Sequence, residues 1–238
     1  MAVDSSTKPN ALKTALDTIV APKAAFESLR AAPTWLLALL VSIVVITISS
    51  FITTPAVVHG LSTDWPNLMA KDPVTAALPP DQQQARLAIA VKFSQFVWVF
   101  SPIFVLFAVL IGTVIMVIFN ALGRGDGSFG KYWAAQSNIT LIAALGSLVL
   151  ALIVALRGAD SYTTAQSVQE SIPSLGMLAP GTGKLHAFLS AFTPFSIWAS
   201  ALVIAALAVT GRVARVQAWL GGILTLLLPA LIAAAFAK

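Results

Sequence analysis

No cysteine occurs in the chain, which excludes disulfides and thiolate metal sites. Charge is scarce as well. Only 10% of the residues are Asp, Glu, Lys or Arg, against about a quarter in a soluble domain. With 58% of its 238 residues hydrophobic, the chain could not cover a water-facing surface, so a membrane is the expected solvent. The histidines are His59 and His186, far apart in sequence. A metal site with Asp64 or Asp160 would have to rest on them, and they read instead as solvated loop residues. No paired carboxylates, Ser–His–Asp set or His–Glu cluster lies at membrane depth, so catalysis is not expected and no cofactor or metal is called for. No basic run carries interleaved aromatics, which argues against nucleic acid as a partner. The formal net charge of +5 is better read as orienting membrane spans.

What the chain does have is long apolar runs. A bilayer core of about 30 Å needs about 20 apolar residues in a helix. Five stretches qualify: 34–54, 96–120, 134–156, 187–210 and 218–237. None contains Asp, Glu, Lys, Arg or His, and a central charge would cost about 2.5–3.5 kcal/mol. The expected class is all-α: an integral membrane bundle of five transmembrane helices over 34–238, behind an N-terminal amphipathic interfacial helix. The first apolar run follows a long polar stretch rather than a short basic start, so it is expected to be retained as a span rather than removed as a signal.

Orientation follows from Lys and Arg. With the N-terminus inside, Lys8, Lys13, Lys23, Arg30, Arg124, Lys131, Arg212 and Arg215 lie on the cytoplasmic side. Lys71, Arg86, Lys92, Arg157, Lys184 and Lys238 lie outside, mostly in the longer loops. Short loops weigh most in the positive-inside rule. The expected location is the bacterial inner membrane, multi-pass, with the N-terminus cytoplasmic and the C-terminus periplasmic. Trp35, Trp98, Tyr132, Trp133 and Trp219 fall near span ends as interfacial anchors, while Trp198 falls mid-span and reads as a packing residue.

Residues 1–10 read as a disordered tail. Over 11–33, Leu12, Leu16, Ile19 and Val20, then Phe26 and Leu29 after Pro22, form an apolar stripe opposite Lys13, Lys23 and Arg30. This predicts one or two helices lying on the inner leaflet, where Lys23, Phe26 and Arg30 meet lipid or a partner. The loop after the first span holds Pro55, Pro66, Pro73, Pro79 and Pro80 and is expected to be irregular until Asp81 and Gln84 start a helix. Pro102 should kink the second span.

Two glycine-dense stretches invite a nucleotide reading. In NALGRGDGSFGKYW, 120–133, the spacing from Gly125 to Gly130 and Lys131 half satisfies a phosphate loop, but Tyr132 stands where Ser or Thr is required, and the flanking element is a span rather than a strand. The stretch therefore reads as a turn, with Arg124 and Lys131 holding it on the cytoplasmic side. APGTGKL, 179–185, departs further from the pattern and reads as a loop. Small residues recur at helical spacing: Ala143, Ser147, Ala151 and Ala155 in the third span, Ser196 with Ser200 and Ala201 with Ala205 in the fourth, and Gly222, Thr225, Pro229 and Ala233 in the fifth. Such seams let helices approach closely. A pore lined by their hydroxyls is the competing reading.

Three stretches carry a resemblance. APKAAFESLRAAPTWLL (21–37) sets Pro22, Phe26, Leu29, Pro33 and Trp35 in order before the first span. FNALGRGDGSFGKYWAAQSN (119–138) is a glycine-rich segment leading into the third span. FLSAFTPFSIWASALVIAALAVTGRVARVQA (188–218) is a fourth span with a short basic exit. Together they resemble the Yip family, named for Ypt/Rab-interacting proteins, and most of all its bacterial branch. Phe195 and Trp198 hold the usual aromatic places, but Thr193 stands where an Asp is common, which puts a polar role there in doubt. The resemblance implies five spans with the N-terminus inside and the C-terminus outside. GTPase binding, known for eukaryotic relatives, is not supported by any motif in this chain.

The expectation is a non-enzymatic scaffold, partner-binding or membrane-organising protein. Its partners would be membrane lipids and either a second copy of the chain, as a homo-oligomer, or another membrane protein. Lys23, Arg30, Arg124, Lys131, Arg212 and Arg215 would form the contact surface. The alternative is a small permease or channel component using the Pro102 kink.

Overall fold

The computed structural model describes residues 10–179, 181 and 183–237. Most of the tail proposed above, and Lys238, lie outside them. Asn10 is not part of a tail: its side chain accepts a hydrogen bond from the Lys13 amide and caps the first helix. Among the described residues there is no strand. Helices α1 (Ala11–Val20) and α2 (Pro22–Ala31) are followed by the long α3 (Leu36–Ala70). Then come the short α4 (Pro73–Ala76), α5 (Pro80–Phe96), α6 (Ser101–Leu122) and α7 (Phe129–Arg157). The remainder is α8 (Ala165–Gln169), α9 (Lys184–Ser190), α10 (Pro194–Thr210) and α11 (Arg215–Phe236).

Four helical stretches are long and apolar enough to cross a membrane: α3, α5 with α6, α7 and α11. Helices α9 and α10 make a fifth span if the pair, bent by 61° at its break, counts as one. The break falls at Ala191–Thr193, ahead of Pro194. Thr193 Oγ1 accepts from the Ser196 amide and Ser196 Oγ accepts from the Thr193 amide, a reciprocal capping box that starts α10. Thr193 therefore has a definite polar role, and an aspartate at this position would cap equally well.

The loop expected after the first span is largely helix. Helix α3 has 35 residues, about 52 Å at 1.5 Å per residue, and runs through Pro55 and Pro66. Thr54 Oγ1 donates to the Ser50 carbonyl at 2.8 Å just before the first of these prolines. Helix α5 begins on Pro80 without a side-chain cap, so Asp81 and Gln84 do not form the expected capping pair. Gln83 does the local tying instead, donating to the Ala76 and Leu78 carbonyls. Pro80–Leu122 runs as one span, and the disturbance next to Pro102 is a 3-10 turn just before the proline, at Val97–Phe100. Proline lacks the N–H that would reach the Trp98 carbonyl. That carbonyl is met instead by the Ser101 amide and by Ser101 Oγ at 2.7 Å.

The chain forms two compact units. The first comprises the described residues up to Ile43, Val105–Leu145 and those from Ser174 onward. Here α2 packs on α1 and α10, α10 on α11, and α11 on α9. The core joins Phe26 and Leu29 of α2 to Met116, Tyr132, Ile139, Leu202 and Leu207. Asn138 is buried, and its Nδ2 donates to the Thr34 and Ala134 carbonyls at 2.9 and 2.8 Å. The fourth-to-fifth seam is close-packed. Ser200 Oγ donates to the Gly222 carbonyl at 2.7 Å, and a Cβ on Gly222 would collide with Ile204. Trp198, expected as a packing residue, is 41% exposed.

The second unit comprises Val44–Phe104 and Gly146–Pro173. Ala56, Leu150, Val154, Tyr162 and Val168 form its core. Gly60 is required there, because a Cβ would collide with the Thr164 backbone. His59 Nδ1 pairs with the Tyr162 carbonyl at 3.0 Å, so this histidine is engaged rather than free in its loop.

Candidate functional site

The glycine-rich turn between α6 and α7 is built around one side chain. Asn120, in the last turn of α6, accepts at Oδ1 from the Gly127 amide at 3.0 Å and from the Tyr132 hydroxyl at 2.7 Å. Its Nδ2 donates to the Gly127 carbonyl at 3.3 Å, and its backbone carbonyl takes the Gly125 amide at 2.8 Å. The Asp126 amide donates to the Gly211 carbonyl at 2.8 Å. A phosphate loop needs its backbone amides free to point at an anion. Here the amides of residues 125–127 are already engaged inside the protein. The stretch is a turn, as its flanking spans implied.

That turn is joined to the one between α10 and α11. The Ala214 amide reaches the Gly123 carbonyl at 3.4 Å, and within the second turn the Val213 amide meets the Leu207 carbonyl at 3.0 Å. The fit leaves no room at Gly211, Gly127 or Gly125, where a Cβ would meet Tyr132 or Asn120. Tyr132 is fully buried at the centre of this arrangement, not an interfacial anchor.

Arg30 brings α2 to the same place. Its Nη1 and Nη2 donate to the two carboxylate oxygens of Asp126 at 2.8 and 2.6 Å, a fork-on-fork pair. Nη1 also donates to the Thr210 carbonyl at 2.9 Å, while Thr210 Oγ1 returns a bond to the Phe26 carbonyl at 3.3 Å. The hydrogen bonds from Arg30 hold the Asp126 carboxyl below its ordinary value of 3.8, against the opposing effect of burial. The charges of Arg30, Arg212 and Lys131 add to the lowering. We call this arrangement of α2 and the two turns the clasp.

The expected contact residues divide. Lys23, Arg124, Arg212 and Arg215 are exposed, Lys131 is half-buried, and Arg30 is engaged by Asp126. Phe26 is fully buried and meets neither lipid nor a partner, because α2 turns its apolar stripe into the bundle. On α1 the exposed apolar residues are Leu12, Leu16 and Val20. Arg124 and Arg212 sit at φ of 52° and 49°, the left-handed region that glycine occupies with less strain. The seam proposed in α7 is split, with Ala151 buried, Ala143 and Ala155 exposed, and Ser147 beside a recess in the second unit. His186 is buried and pairs through Nδ1 with the Ala179 carbonyl at 2.8 Å. Among the described residues no group of three His, Cys, Asp or Glu could hold a metal ion.

Asn120, Asp126, Tyr132 and Thr210 were not singled out from sequence as site residues. Asp126 carried a signal, being the sole acidic residue between 119 and 157. Its partner lies 96 positions away and could not be read locally.

No family model matches the chain, and no solved structure matches it. The chain is similar to Membrane protein YknW of Bacillus subtilis (strain 168), with 27% identity over 206 residues. The aligned part covers 87% of this chain and 82% of that relative. With that similarity and four or five helices fit to cross a bilayer, the chain is a multi-pass membrane protein.

Proposed function

We propose that this is a non-enzymatic protein of the bacterial inner membrane, similar to the Yip family, that binds a partner or organises lipid through the clasp face. The N-terminus and the clasp face the cytoplasm, and the C-terminus is periplasmic. One observation carries the reading: Arg124 and Arg212, in two joined turns, keep exposed cationic side chains on backbone that glycine would occupy with less strain. A left-handed non-glycine residue costs about 1–2 kcal/mol, and such strain persists only where the surrounding structure holds it, which concentrates it at working sites. Lys23 and Arg215 are exposed as well. Cations near an anionic leaflet contribute about 1 kcal/mol each. The three stretches that carry the Yip resemblance supply the three parts of the clasp, which supports one shared working surface.

The test replaces both arginines with glycine. The variant Arg124→Gly with Arg212→Gly should fold with no loss of stability. It should lose the partner crosslinked near position 124 in native membranes, or lose preference for vesicles containing phosphatidylglycerol. Unchanged crosslinking and unchanged lipid preference would overturn the proposal. Solute flux into proteoliposomes holding this chain alone would instead establish the permease reading.

A further inference from the structure

Within the second unit, α3, α7 and the segment carrying α8 line an open recess of about 280 Å³. Its lining is uncharged. Ser49, Ser50 and Thr53 come from α3, Ser147 from α7 and Gln169 from α8, with Leu150 as an apolar wall. Ser49 is 2% exposed, and its hydroxyl has no hydrogen-bond partner among the described residues. A hydroxyl inside a helix ordinarily returns its hydrogen to the carbonyl four residues back. Thr54, Thr113, Ser137 and Thr140 do so here. Ser49 does not, and it borders the recess.

We propose that this recess binds an uncharged, hydroxyl-rich group: the polyol chemistry shared by a neutral glyceride headgroup and a free sugar. The hydroxyls of Ser49 and Ser50 and the Gln169 carboxamide can donate and accept, and Thr53, whose hydrogen goes to the Ser50 carbonyl, can still accept, which matches a ligand that does both. A charged ligand would lose its hydration with no opposite charge in the lining to replace it. The volume lies near the lower end of ligand pockets, about 300–1,000 Å³, so it suits a glycerol- or hexose-sized group.

The test uses the full chain in phosphatidylcholine nanodiscs, read by native mass spectrometry, with dioleoylglycerol, dioleoylphosphatidic acid and free glucose as probes. Dioleoylglycerol or glucose should be retained, and phosphatidic acid should bind at least about tenfold more weakly, the scale of an unpaired buried charge. Retention of dioleoylglycerol alone assigns a lipid source, and retention of glucose alone a free solute. Ser49→Ala should weaken retention about fivefold while leaving the melting temperature of the unliganded protein unchanged or higher, because no bond is lost. Ser147→Leu, which fills the recess, should abolish retention; if that variant does not fold, Ser49→Ala decides alone. The proposal is overturned if neither neutral probe binds, if phosphatidic acid binds equally well, or if Ser49→Ala binds like the parent. A lower melting temperature for unliganded Ser49→Ala would also overturn it, by making the hydroxyl structural.

Discussion

Asn120 shows how much can depend on a single amide side chain. It closes the turn onto itself through Gly127 and fixes the buried Tyr132 hydroxyl. Replacing it with alanine strands an amide and a hydroxyl, and each unsatisfied buried group costs about 1–3 kcal/mol. Asn120→Ala should therefore lower stability by about 2–4 kcal/mol, measured by thermal unfolding in detergent. Gly211→Ala should cost about 1–3 kcal/mol by overpacking, because the new methyl would collide with the Tyr132 hydroxyl. Adding Tyr132→Phe should return part of that loss. Purely additive costs in the double variant would show that the collision is not the cause. Sequence marked the glycines as a turn because their spacing and flanks allow little else. It could not give the reason each one is glycine, since the atom that would be struck at Gly211 belongs to Tyr132, on a helix far away in the chain.

At the scale of elements, two features decide how the helices are joined. The first is the bend in the fourth span. Thr193→Ala removes the cap of α10 and should cost about 1 kcal/mol, whereas Thr193→Asp should cost little; equal losses for both would mean that the cap is not what matters. The apolar run 187–210 gave no hint of the bend, because hydropathy does not register a change of direction. Thr193–Pro194 followed by Ser196 did carry a start signal inside the run. The second feature is the pair between Arg30 and Asp126. The Asp126 carboxyl titrates lower in the folded chain than in the unfolded one. Its contribution is therefore full above its ordinary value of 3.8 and is lost as pH falls through the lower folded value. The protection of α2 amides, taken relative to their intrinsic exchange rate at each pH, should stay level from about pH 8 to about pH 5 and fall in stronger acid. Asp126→Asn should lower that protection across the whole range and remove its fall in acid. A parent protein whose α2 loosens already above about pH 5 would overturn the assignment to this pair.

For the whole molecule, the membrane class was legible at once, because long uncharged apolar runs leave no other solvent. The clasp was not, because its bonds join residues 96 and 180 positions apart. Reporter fusions test the orientation. Those at Gly127 should signal from the cytoplasm and those at Gly181 from the opposite side, and reversed signals would invert the proposed topology.

Phe26 and Leu29 are fully enclosed by the bundle rather than resting on its surface. A shortened version starting at Thr34 would therefore be an injured protein, not a smaller one. It should insert in the bilayer, show an open greasy trench along α10, and clump on extraction. Supplying the missing segment as a separate peptide should restore a single dispersed species on gel filtration.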